Sequence, residues 1–60
     1  MAKKTVPRRT AQKWINWAHE MEAESFRLSE FGYGLEAGKV RAASVALGDA
    51  GRRALERGPA

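Results

Sequence analysis

The sequence predicts an all-α protein, an antiparallel hairpin of two helices within a single small domain of 60 residues. Residues 10–31 contain neither Pro nor Gly and are rich in Ala, Glu, Met, Gln and Arg, which favour helix. A second helical pattern follows Gly32 and Gly34, and the alternation typical of strands occurs nowhere. Two helices joined by a short glycine-containing turn are expected to fold back on each other.

The first nine residues, MAKKTVPRR, predict a flexible basic leader before a helix over residues 10–31. Two caps compete at the start of that helix. Thr5 would cap a helix that holds Pro7 in its first turn, where proline costs no hydrogen bond, and Thr10 would cap a later start.

The predicted turn covers residues 32–34, because a glycine just past a helix readily takes the left-handed conformation that closes the last turn. The second helix is predicted over residues 35–57. Gly38, Gly48 and Gly51 weaken it, and the sequence leaves open whether it breaks near Gly48–Gly51, with Asp49 as an alternative N-cap.

Each predicted helix carries a stripe of apolar and small residues that suits an antiparallel partner. The stripes are Trp14, Ala18, Met21, Ser25 and Leu28 on the first helix, and Val40, Ala43, Leu47, Ala50 and Ala54 on the second. Folding at the turn would place Trp14 against Gly51, Ala50 and Ala54, and Met21 near Leu47 or Val45. Large residues would then meet small ones, which permits a dense interface.

The apolar arc of the first helix is wider than one facing helix can cover, because aromatic residues lie on both flanks of the stripe. Either part of the second helix or the Tyr33 loop covers one flank, or the exposed aromatics bind a partner or a second copy. The candidate partner-binding residues are Trp17, Glu20, Glu24, Phe26, Glu30, Phe31 and Tyr33.

Charge separates along the predicted hairpin. The formal net charge is +4 and the pI about 10.1, a balance that favours anionic partners. Acidic residues crowd the second half of the first helix, whereas the two chain ends are basic and would meet at one end of the hairpin. The candidates for contact with nucleic acid or an acidic surface are Arg8, Arg9, Lys13, Arg52, Arg53 and Arg57.

The glycines around Phe31-Gly32-Tyr33-Gly34 do not form a nucleotide-binding motif. A Walker loop would need a glycine where Tyr33 stands, and the dinucleotide fingerprint would need its third glycine one residue before Gly38. The stretch also resembles part of an RNA-recognition motif, but those aromatics project from a sheet that this chain lacks.

Enzymatic function is not predicted. Cysteine is absent, His19 is the only histidine, and "HEMEA" lacks the second histidine of a metalloprotease helix. Ser25 lies six residues from His19, and a helix does not bring these side chains within the roughly 3 Å that a nucleophile needs. A hairpin this small is also expected to lack a substrate pocket of a few hundred Å³. No catalytic residue, cofactor or metal site is predicted.

In size, lack of cysteine and single-domain composition the chain resembles small phage-encoded inhibitors of host defence, the anti-CRISPR proteins. That resemblance implies stoichiometric binding to a protein or ribonucleoprotein complex in the host cytoplasm, and it assigns no residues. The absence of a secretory signal and of an apolar span also favours the cytoplasm. The alternatives are a small basic, dimeric DNA- or RNA-binding regulator, and a structural subunit of a larger helical assembly.

Overall fold

A computed structural model describes residues 5–57, which form two α-helices of equal length. The helix α1 spans Arg8–Glu30 and α2 spans Gly34–Glu56, each with 23 residues. The two helices pack against each other along their length, and the described residues contain no strand. The predicted all-α hairpin is therefore confirmed.

The first helix begins at Arg8, two residues earlier than predicted, because Pro7 itself is the N-cap. The Pro7 backbone is extended, and its carbonyl accepts the first hydrogen bond from the Ala11 amide at 3.0 Å. No side chain caps this end, so the predicted caps Thr5 and Thr10 are wrong. Arg8 and Arg9 belong to the helix. The predicted leader begins at residue 1, and its first four residues lie outside the described residues.

The turn between the helices is a Schellman motif, with Gly32 in the left-handed conformation at φ +94°. The Tyr33 amide donates to the Leu28 carbonyl at 2.8 Å, and the Gly32 amide donates to the Ser29 carbonyl at 3.1 Å. The predicted role of Gly32 is confirmed. Gly34 is instead the first residue of α2, so the turn covers residues 31–33 rather than 32–34.

The second helix is continuous through Gly48 and Gly51, contrary to the break that the sequence left open. These glycines lie where the two helix backbones approach each other. A Cβ on Gly51 would lie 2.8 Å from both the Ala11 carbonyl oxygen and Ile15 Cγ1, and one on Gly48 would lie 3.2 Å from the Ala18 Cβ. Close helix contact thus explains the two glycines.

Small residues at seven-residue intervals form the helix interface: Ala11, Ala18 and Ser25 on α1, and Ala37, Ser44 and Gly51 on α2. Ala11 is completely buried. The hydroxyl of Ser25 donates to the Glu22 carbonyl, and that of Ser44 to the Arg41 carbonyl, so neither leaves a buried polar atom unpaired.

This interface corrects the predicted stripes. Ala43 and Ala50 are exposed, and Gly51 faces Ala11 and Ile15 rather than Trp14. Trp14, Met21 and Leu28 are only half-buried. The contact therefore sets Gly48 and Gly51 against two alanines and Ile15, where the prediction set Gly51 against Trp14.

A matched pair of glycine substitutions tests this close approach. Gly51→Ala is expected to lower the free energy of unfolding by about 1–3 kcal/mol, because its Cβ overlaps the Ala11 backbone. Gly38→Ala, in open space on the same helix, is expected to raise it by about 0.5–1 kcal/mol. Urea unfolding followed by circular dichroism at equal protein concentration measures both. Equal effects of the two substitutions would contradict the packing.

Candidate functional site

Most large apolar side chains lie beside the line of closest contact between the helices, where small residues bring the two backbones together. No large side chain among residues 5–57 is fully buried. The exposed apolar surface is divided among three places: one broad face of the hairpin, the opposite face, and the turn.

One broad face, here called the groove face, contains an open hollow of about 590 Å³ between the helices. Its lining includes Trp17, Met21 and Val40, with Glu20, Glu24 and Arg27 at the edge. The Lys13 ammonium lies 5.3 Å from the centre of the Trp17 ring, at cation–π distance. Because this hollow is open to solvent, the expectation that the hairpin lacks a substrate pocket stays a prediction.

The edge of the groove face is charged and open to water. Arg27 Nη1 donates to Glu24 Oε2 at 2.6 Å, one helical turn away. Both side chains are well exposed, and exposed pairs of this kind contribute about 0–1 kcal/mol. This pair therefore leaves both groups available to exchange partners with another molecule.

The opposite face has a smaller hollow of about 170 Å³, lined in part by Ile15, His19, Val45 and Arg52. Ser25 does not join His19 there, because its hydroxyl donates to the Glu22 carbonyl. Among the described residues, no three side chains of the His, Cys, Asp or Glu type gather as a metal site. Ser44 also lines this hollow, and its hydroxyl donates to the Arg41 carbonyl.

The turn forms an exposed apolar tip. The exposed fractions are 78% for Phe31, 55% for Tyr33 and 84% for Leu35. The sequence left open whether the aromatics at the turn seal the end of the hairpin or present it to a partner. These exposures show that the tip is presented to solvent.

The other end of the hairpin is basic. Because Gly51 packs against Ala11, the start of α1 lies beside the end of α2. The exposed basic residues that this arrangement brings to one end are Arg8, Arg9, Lys13, Arg52, Arg53 and Arg57. Arg53 Nη2 lies 2.9 Å from Asp49 Oδ2 on the same helix, a surface pair that leaves the end predominantly basic.

The structure does not bring the predicted partner-binding residues together in one patch. Trp17, Glu20 and Glu24 line the groove face. Phe26 follows Trp17 by nine residues, which places it on the opposite side of α1. Glu30, Phe31 and Tyr33 belong to the tip.

Two exposed apolar residues, Leu35 and Val45, were missing from the predicted partner-binding residues. The exposure of Leu35 could have been predicted from its helical spacing. It precedes the buried Ala37 by two residues, about 200° around α2, so the packed side of the helix cannot include both.

Comparison with known proteins finds no matching family model, no matching curated protein and no matching solved structure. Within residues 5–57, neither helix has an apolar stretch sufficient to cross a bilayer. The surfaces of the hairpin itself are therefore the basis for assigning a function.

Substitutions at the tip test whether its side chains stabilise the fold. Phe31→Ser is expected to change the free energy of unfolding by less than about 0.5 kcal/mol, because Phe31 is mostly exposed. Leu28→Ser, at a half-buried position one turn earlier, is expected to cost about 1–2 kcal/mol. Urea unfolding measures both. A loss at Phe31 as large as that at Leu28 would show that Phe31 seals the hairpin.

Proposed function

We propose that this protein is a non-enzymatic binding protein that acts by stoichiometric contact with a larger protein or ribonucleoprotein complex. The observation that carries the proposal is the tip, where Phe31, Tyr33 and Leu35 expose apolar surface within five residues. Scattered apolar residues are normal on a protein surface, but a contiguous group is typical of interaction sites.

The turn also holds the tip in a defined shape. The two hydrogen bonds of the Schellman motif fix the backbone between Leu28 and Tyr33. A preordered loop loses less conformational entropy on binding than a flexible one, so more of its contact energy appears as affinity. Aromatic side chains on such a loop are suitable anchors for a pocket on the partner.

Charge indicates the chemistry of the partner. Glu30 and Glu36 flank the tip, and neither forms an ion pair within the described residues. An apolar anchor with acidic neighbours suits an apolar pocket bordered by Lys and Arg. Channels that bind nucleic acid have such basic borders, because they neutralise phosphates.

The target class that follows is a nucleic-acid-handling complex, whose channel the tip would block. The specific target that we propose is a CRISPR surveillance complex, which would make this chain an anti-CRISPR protein. This target places the protein in the cytoplasm of the host cell, where a phage-encoded inhibitor would act. Blocking requires no cofactor, no metal and no catalytic residue.

Titration of purified CRISPR surveillance complexes of several types tests the proposal. The protein is expected to abolish target-DNA binding by at least one complex, with an endpoint at a fixed stoichiometric ratio. Phe31→Ser combined with Leu35→Ser is expected to weaken inhibition about 10–100-fold. Val45→Ser serves as the matched control, because Val45 is 60% exposed but lies away from the tip.

Two results would contradict the proposal. Inhibition by far less than one protein per complex would indicate catalysis instead of blocking. Failure to inhibit any complex in the panel would exclude these complexes as the target class.

The basic end supports a second candidate function, direct binding of DNA or RNA. The antiparallel packing places Arg8, Arg9 and Lys13 beside Arg52, Arg53 and Arg57, and this is the specific observation that favours it. Basic side chains clustered at one end form the electrostatic footprint expected of a nucleic-acid-binding protein.

Gel-shift measurements separate this candidate from the first. Binding through phosphates predicts an affinity that falls steeply between 50 and 200 mM salt, because each contact releases counterions. Arg52→Gln with Arg53→Gln is expected to weaken binding to every sequence alike, whereas the Phe31→Ser and Leu35→Ser variant binds normally. Absence of any shift at about 50 mM salt would exclude the second candidate.

A further inference from the structure

We propose that the groove face binds a second copy of this chain, so that two hairpins form an antiparallel four-helix bundle. The proposal is independent of the proposed function, because the tip lies at the turn and not on this face. Four observations support it: the spacing of large apolar residues, the shape of the hairpin, its exposed area and its charge pattern.

Apolar residues, all but one of them large or mid-sized, repeat at seven-residue intervals beside the small residues of the helix interface. They are Trp14, Met21 and Leu28 on α1, and Val40, Leu47 and Ala54 on α2. All six are half-buried, so each leaves part of its side chain open to solvent. Two such rows on adjacent helices are the pattern expected of half a helix bundle.

The shape of the hairpin supports the same conclusion. The molecule measures 43 × 22 × 12 Å, which is one layer of helices. Stable domains usually have at least two packed layers, because a helix must bury its apolar side against another element. A second hairpin on the groove face would supply the missing layer.

The exposed area is sufficient for this contact. A folded monomer of 6.6 kDa is expected to expose about 3,900 Å². This chain exposes 5096 Å², an excess of about 1,200 Å². A stable interface of standard size buries roughly 800 Å² on each partner, so the excess of the whole chain, which includes the tip and the opposite face, is larger than one such interface covers.

Charge selects the orientation of the two hairpins. Lys13 lies before the middle of α1 and Glu24 lies a nearly equal distance after it, while Glu36 and Arg53 are placed similarly on α2. If the two turns lie at opposite ends of the bundle, Lys13 of each copy meets Glu24 of the other. Glu36 likewise meets the end of α2 that carries Arg53.

The reverse orientation, with both turns at the same end, is unfavourable. It would bring the two basic ends together, with the basic residues at the start of α1 of each copy beside those at the end of α2 of the other. Like charges at such an interface repel each other, whereas the first orientation pairs opposite charges along both helices. We therefore assign the turns to opposite ends, so that each dimer presents two tips.

Sedimentation velocity of the full chain at 10–100 µM tests the dimer. The expected particle has twice the 6.6 kDa mass of the chain. Leu47→Glu is expected to give a monomer, because it places a charge in the contact. Val45→Glu is the matched control on the opposite side of α2 and is expected to remain dimeric, since Val45 lines the other hollow.

Charge-reversal variants at Lys13 and Glu24 test the dimer independently, in case Leu47→Glu disturbs folding. Lys13→Glu alone and Glu24→Lys alone are each expected to weaken the dimer about three- to tenfold at low salt. An equimolar mixture of the two variants is expected to recover the wild-type affinity, because each mixed dimer restores opposite charges at both pairs. The two positions are about 16 Å apart along α1, so recovery requires contact between copies.

Spin labels at the turn test the orientation. Cysteine is absent from the chain, so Leu35→Cys gives a single labelling site that is 84% exposed. Turns at opposite ends predict a distance between labels of about 35 Å or more, the length of a 23-residue helix. A distance below about 20 Å would overturn the orientation.

A monomeric wild-type protein at 100 µM would overturn the proposal of a dimer. A dimer that Leu47→Glu leaves intact while Val45→Glu disrupts it would also overturn it.

Discussion

The close contact between the two helix backbones is the constraint on which the rest of the structure depends. Gly51 leaves no room for a Cβ and lies against Ala11, which is completely buried, and a Cβ on Gly48 would be in tight contact with Ala18. Helices that approach this closely gain dispersion contacts along their backbones, but they cannot admit large side chains between them. The tryptophans, Met21 and Leu28 are therefore displaced to the outside, where they form the surfaces available to other molecules.

This arrangement determines which properties were predictable from the sequence. The helices, their antiparallel packing and the left-handed Gly32 follow from local rules of propensity and capping, and the structure agrees with them. The meeting of Arg8 and Arg53 at one end follows from the fold alone. Features of this kind depend on chain connectivity rather than on side-chain packing.

The details of packing were not predictable in the same way. Gly48 and Gly51 suggested a weak point in α2, because an isolated glycine destabilises a helix, but here each permits tertiary contact that outweighs its low propensity. The predicted pairing of Trp14 with Gly51, and the placement of Ala43 and Ala50 in the core, were also wrong. A helical wheel shows which residues share a side, but it does not show how closely two helices approach.

The most direct test of the close contact is an NMR measurement of nuclear Overhauser effects from the Gly51 α-protons in the full chain. The close contact predicts strong effects to protons of Ala11 and Ile15, since a Cβ on Gly51 would lie within 3 Å of atoms of both residues. Strong effects from Gly51 to the Trp14 ring, with none to Ala11, would contradict it. Such a result would place the large side chains between the helices and remove the basis for the exposed groove face.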